Sequence, residues 1–322
     1  MSEITTKYGE LHGLVGLERY GDGGIKECTV NQPNELVTEY GVLVPQYENE
    51  GPRRKYGKSL SFYEDGQLKS IALQNQQPIK TAIGVFPAEL ITFYPSGTIR
   101  RLFPLNGKLS GFWSEANEYN LAQTFTFEFP FGSFTAKMIS VHFYETGAVN
   151  SLTFWPAEKM IIQSPVGRVE VRNGLAFYPD GQLKSLEPRK PVRIATPIGE
   201  LTAYHNQPVG VHGDRNSLVF ASNGAVVSLL TTTNRITVID RYNDTQTIYQ
   251  PGRKRSLFNE EMLEVIPLAI EFTESTIKFN QQLGHCYQLS QYRFEVTELP
   301  DLPQSSCTCL EWDFSQYPVE QS

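Results

Sequence analysis

At 322 residues, with 40% hydrophobic and 20% charged residues, the chain has the composition of a soluble globular protein and the length for one to three domains. Its formal net charge of −7 excludes the broad basic surface that phosphate backbones demand, so no nucleic-acid partner is expected. The 19 Phe and 16 Tyr, with 25 Gly and 20 Pro, favour short strands closed by tight turns over long helices.

The chain opens on Met1–Glu10 with no basic start and no apolar core, so no secretory signal is expected. No stretch approaches the ~18 consecutive apolar residues of a transmembrane segment. Four cysteines in a chain of this length make no disulfide framework. A soluble, cytoplasmic protein is the expectation.

A repeat begins almost at once. Gly23, Gly66, Gly97, Gly147, Gly181 and Gly224 share one register. Four residues before them stand Arg19, Phe62, Phe93, Phe143, Phe177 and Phe220, and three before stand Tyr20, Tyr63, Tyr94, Tyr144, Tyr178 and Ala221. Five after stand Cys28, Ile71, Leu102, Leu152, Leu186 and Leu229. A second motif alternates with this one, as in Thr196-Pro197-Ile198-Gly199, with glycines at 9, 41, 84, 132, 167 and 199. Where nothing is inserted, 13–15 residues lead from second-motif glycine to hairpin glycine and 18–20 lead back, so the unit is about 32 residues long and is used six times.

Proline identifies the turn. In a two-residue type I′ loop, Pro95 and Pro179 would fall on a strand position and remove a ladder donor. A type I turn followed by a left-handed glycine puts proline at the second turn position, where its fixed φ fits. Both motifs then read as the same device, a tight corner whose glycine takes φ > 0, and alanine there should cost roughly 1–2 kcal/mol. Counting by alternation, Phe177 and Leu183 face one side of the sheet and Tyr178 and Leu186 the other, so both faces are partly apolar. The expected fold is all-β: an elongated stacked antiparallel meander of six β-hairpin repeats, about four short strands each, with a six-bladed propeller as the alternative. The recurring tyrosines read as a repeated packing position.

The hairpin core Phe62-Tyr63-Glu64-Asp65-Gly66-Gln67-Leu68-Lys69 resembles the MORN-type repeats of bacteria, in particular the variant found in antitoxin-like repeat proteins. The chain as a whole is similar to a family of clostridial-type repeat proteins. The MORN resemblance covers the hairpin in six places over about residues 15–230, while the longer unit and the interleaved second motif depart from that pattern. It implies a β-hairpin scaffold that binds proteins or membranes, and it carries over no catalytic residue.

Three insertions interrupt the array, and inserted loops carry function more often than scaffold does. Unit two is interrupted at Tyr47–Lys58, which contains the basic cluster Arg53, Arg54 and Lys55, and unit six at His205–Asn216. Both fall at the same point of the unit and should leave the same edge. The third, between units three and four, carries Trp113, Glu115 and Glu118. His205, His212 and Asp214 are candidates for metal ligation or acid–base work, although their spacing fits no specific metal pattern. Polar residues satisfying the loop's own turns are the alternative. Arg215 joins these as a partner-contact candidate.

The repeat fades after about Ile236, and Ile236–Ile239, Thr247–Tyr249, Leu268–Phe272 and Thr276–Phe279 read as further strands, with a helical turn at Asn259–Leu263. The domain reading is therefore a repeat domain over 1–235, a β-rich cap over 236–298, and a linker with a cysteine-containing tail over 299–322. Cys307 and Cys309, with His285 and Cys286, form a candidate soft-metal or redox site. No cofactor is required by any motif. No phosphate loop, serine elbow or His-Glu-x-x-His segment occurs. Three functions follow: a non-enzymatic scaffold binding a protein partner through loops on one edge, a metal- or redox-responsive protein, and a hydrolase built on the carboxylates of the inserted loops.

Overall fold

The computed structural model describes residues 4–49, 51–54, 57–206, 213–255, 263–280 and 285–300. Among them the chain is nearly all antiparallel strand, with a single α-helix at Glu115–Leu121. Two compact units form: Met1–Val192 with Gln207–Ser228, and Arg193–Asn206 with Leu229–Ser322.

In the first unit the hairpin strands follow one another across one continuous meander. Their order is Leu14–Arg19, Ile25–Val30, Leu60–Phe62, Leu68–Thr81, Gly84–Phe93, Ile99–Phe103, Gly132–Phe143, Val149–Phe154, Gly167–Phe177, Leu183–Pro188 and Leu218–Phe220. Each is hydrogen-bonded antiparallel to the next. None of these pairings joins the first strand to the last. The expected meander is what forms, and the separate blades of a propeller are not.

All six hairpin turns are made by the same two bonds. The glycine amide donates to the carbonyl three residues back, and that residue's own amide donates to the carbonyl after the glycine. Gly181 to Tyr178 is 2.9 Å and Tyr178 to Gln182 is 2.8 Å, and the same pair recurs at Tyr20, Tyr63, Tyr94, Tyr144 and Ala221. The six glycines have φ between 78° and 92°. This is the type I turn with a left-handed glycine that proline demanded. The second corner also keeps its positive φ on glycine, at 102–133°, but closes differently. At five of the six copies a Ser or Thr hydroxyl donates to the glycine carbonyl, as Thr38 to Gly41 at 2.8 Å and Ser164 to Gly167 at 2.7 Å, and Phe129 takes that place before Gly132. The same hydroxyl accepts the amide two residues on. The two motifs are related corners with different locks.

The assignment of faces needs correction. Phe177 pairs with Leu183, Ala176 with Ser185 and Leu175 with Leu186, with a bulge between the first two pairs. The extra residue, Lys184, shifts the alternation by one, so Leu186 lies on the side of Phe177 rather than of Tyr178. One face is therefore apolar throughout: Phe62, Phe93, Phe143, Phe177 and Phe220 are at most 3% exposed, and Ile71, Leu102, Leu152 and Leu186 are fully buried. The other face carries Ser61 and Ser70, Thr92 and Arg101, His142 and Ser151, and Ala176 and Ser185 as facing pairs.

The tyrosines stitch neighbouring hairpins together. Each hydroxyl donates to the main-chain carbonyl of the next hairpin's phenylalanine: Tyr20 to Phe62, Tyr63 to Phe93, Tyr94 to Phe143, Tyr144 to Phe177 and Tyr178 to Phe220, all at 2.8–2.9 Å. The sixth copy is Ala221, and the ladder stops there. The packing role expected of these tyrosines is thus fulfilled through hydrogen bonds between units.

In the second unit, Asn234–Asp240 is flanked by Gln246–Tyr249 and Tyr292–Glu298, and Thr276–Phe279 pairs with Leu268–Phe272 and Cys286–Gln288. All four strands expected in this region are present. Leu263 opens a strand instead of ending a helical turn. The rest of that predicted turn lies outside the described residues.

Candidate functional site

Two polar clusters fix inserted segments onto the meander. In the first, Arg53 from the unit-two insertion reaches two buried carboxylates. Its Nη2 lies 2.7 Å from Glu89 Oε2, and its Nε lies 2.9 Å from Glu118 Oε2 on the helix Glu115–Leu121. Trp113 Nε1 donates to Glu118 Oε2 at 2.6 Å, and the amides of Asn106 and Gly107 donate to Glu89 and Glu118 at 2.7 Å. Burial works against the Arg53 charge, but the hydrogen bonds to Glu89 and Glu118 outweigh it and raise the guanidinium pKa. Arg54 is 1% exposed and donates to the carbonyls of Leu73 and Gln74. The unit-two insertion and the third insertion are therefore joined, also through Lys108 N to Arg53 O at 2.9 Å.

This lock presents rather than hides the third insertion. Phe112 is 88% exposed, with Leu109 and Leu121 also exposed, while Trp113 beside it is held by Glu118. The helix is short but well started: Ser114 accepts the Asn117 amide, and the Asn117 side chain accepts the Ser114 amide.

The second cluster anchors the sixth-unit insertion through Asp214. Its Oδ1 is 3.0 Å from His142 Nδ1 and accepts from Ser151 Oγ, and its Oδ2 is 2.5 Å from Arg101 Nη2. Burial would raise the Asp214 pKa, yet the hydrogen bonds with His142 and Ser151 and the Arg101 charge hold it far below the usual carboxylate range. Two glycines let the backbones touch: a Cβ on Gly213 would stand 2.1 Å from Leu152 O, and one on Gly174 would stand 2.2 Å from Gly213 Cα. Ser217 follows with its amide and hydroxyl on Glu187, whose pKa burial raises. Ser, His and Asp meet here, but Ser151 is fully buried and donates to Asp214, not to His142. The wiring is that of an anchor, without the serine–imidazole bond that activates a nucleophile.

The remaining sequence candidates are dispersed. Arg215 is exposed and His205 is buried in the second unit. His285 lies against the Tyr249 ring, with centroids 5.3 Å apart, and Cys286 is an exposed free thiol. Lys55, His212, Cys307 and Cys309 lie outside the described residues. No group of three or more His, Cys, Asp or Glu side chains suited to a metal occurs among the described residues. Among the described residues no helix is long and apolar enough to cross a membrane.

Sequence reasoning missed Arg101, His142, Ser151 and Glu89. The first three occupy the facing positions where hairpin two has the pair Ser61 and Ser70. A charged or aromatic residue in a column of small hydroxyls was the available signal.

A family model described as a MORN repeat variant matches residues 55–75, the strands and turn of the second hairpin. No curated protein and no solved structure is significantly similar to the chain. The second hairpin is thus similar to the MORN repeat variant, and the other five reproduce its turn bonds: the chain carries a MORN-like β-hairpin repeat.

Proposed function

We propose that the protein is a non-enzymatic repeat scaffold that binds a protein partner through its inserted segments. One observation carries the reading: Phe112, almost fully exposed, sits between residues whose main chain and side chains are locked by Arg53, Glu89 and Glu118. An exposed aromatic on a pre-ordered loop loses little conformational entropy on binding, the property that makes such residues interface anchors. In this reading Trp113 and Arg53 position the loop, Arg54 seats the insertion on the sheet, and Asp214 does the same for the unit-six insertion, with Arg215 left outward for contact. The reading extends the likeness to bacterial, clostridial-type repeat proteins and places the chain in the cytoplasm, in keeping with the free thiols Cys28 and Cys286.

Site-specific photo-crosslinking tests it. A photoreactive residue at position 112 should capture one defined protein in a cell extract, and the same residue at Lys80 should not. The substitutions Leu109→Ser and Leu121→Ser should abolish capture while leaving the melting temperature unchanged. Identical adducts at both positions would overturn the proposal.

A further inference from the structure

The polar face carries a row of cations that the fold has placed without giving them carboxylate partners. In hairpins two, three and five the bulge residue lies over the tyrosine of the same hairpin: Lys69 Nζ is 5.6 Å from the Tyr63 ring centroid, Arg100 Cζ is 5.8 Å from Tyr94, and Lys184 Nζ is 5.8 Å from Tyr178, whereas the bulge residue of hairpin one, Lys26, pairs with Glu18. Each ring is fixed by its hydroxyl bond to the next hairpin. None of the three cations makes an ion pair among the described residues. They occupy the second strand of hairpins two, three and five, and Asn150 takes the same position in hairpin four. Adjacent hairpins are two strands apart, so the row steps by about 10 Å.

We infer that this row binds an extended acidic polypeptide segment bearing a carboxylate at every third residue. An extended chain rises about 3.1–3.3 Å per residue, and in the polyproline II form every third side chain returns to the same side, so the two periods coincide. The row is one cation wide. The turns beside it carry Glu64, Asp65, Glu145 and Asp180, which a plane of anionic headgroups would also have to meet. A single acidic strand can follow the cations alone, and the chain's net charge of −7 further disfavours a polyanionic surface or duplex. The inference is independent of the inserted loops, with which the row shares no residue.

The test uses the full chain and a fluorescent peptide of five Glu-Pro-Pro repeats, with five Gln-Pro-Pro repeats, phosphatidylserine vesicles and a single-stranded oligonucleotide as comparisons. The acidic peptide should bind, more weakly as salt rises, and the three comparisons should not. The triple variant K69Q/R100Q/K184Q should lose roughly 30-fold in affinity, about threefold per cation. The charge-matched K80Q/K108Q/K159Q should bind as wild type. Asn150→Lys fills the gap and should tighten binding by about threefold. Equal losses in both triple variants, no gain in N150K, or equal binding of vesicles or oligonucleotide would overturn the inference.

Discussion

The two anchors do the same work with opposite charge. At one, an arginine from the inserted segment enters a pair of sheet and helix carboxylates; at the other, an aspartate enters an arginine and a histidine of the sheet. The charge that reaches in from the inserted segment is a guanidinium at one anchor and a carboxylate at the other, and both anchors are cation–carboxylate pairs.

The sharpest way to break this comparison is Arg53→Met. It strands Glu89 and Glu118, both buried, without their cation and should cost about 3–5 kcal/mol in denaturant unfolding. Gly213→Ala comes next: its methyl would overlap Leu152 O, and the cost should be about 1–3 kcal/mol, with raised hydrogen exchange at the Gly213 and Ser217 amides. Asp214→Asn should cost about 1–3 kcal/mol at pH 7 and change the acid profile. Because the folded-state pKa of Asp214 is depressed, its stabilisation is complete above the ordinary aspartate value of 3.8 and is lost as pH falls below it. The gap in melting temperature between wild type and D214N should therefore narrow below about pH 4, and a gap that stays constant would remove the carboxylate from the account. Glu187 runs the other way. Its folded pKa is raised, so the cost of ionising it is absent at low pH and appears as pH rises. E187Q therefore separates the two carboxylates. Tyr94→Phe is the smallest change, removing one rung for about 1 kcal/mol in the same unfolding measurement.

What could be read from the sequence divides along the same line. The hairpin glycines, the type I turn and the meander follow from local rules, since proline and glycine restrict φ wherever they stand. The face of Leu186 was misread because alternation was counted through a bulge that adds a residue, and periodicity alone does not show such a bulge. The anchors were legible only in part. Arg53, Arg54 and Asp214 stood out as charges in inserted segments, but Glu89, Arg101 and His142 lie 36, 113 and 72 residues from the partners they meet. Which distant charges pair is decided by the stacking of units, and no local spacing encodes it. The helix at Glu115–Leu121 did leave a trace, in Ser114 followed three places on by Asn117.

The tyrosine ladder has one property with consequences for descent. Every rung ends on a main-chain carbonyl, an atom that all residue types possess. Whatever side chain replaces the residue at the receiving end, the acceptor survives, and each unit must conserve only its own donor. Neighbouring units are free to drift apart in sequence, and a whole unit can be duplicated or excised without a matching change next door. Such a chain keeps its spacing while its residues differ, which fits an array whose six hairpins share their turn bonds while the MORN repeat variant model matches residues 55–75.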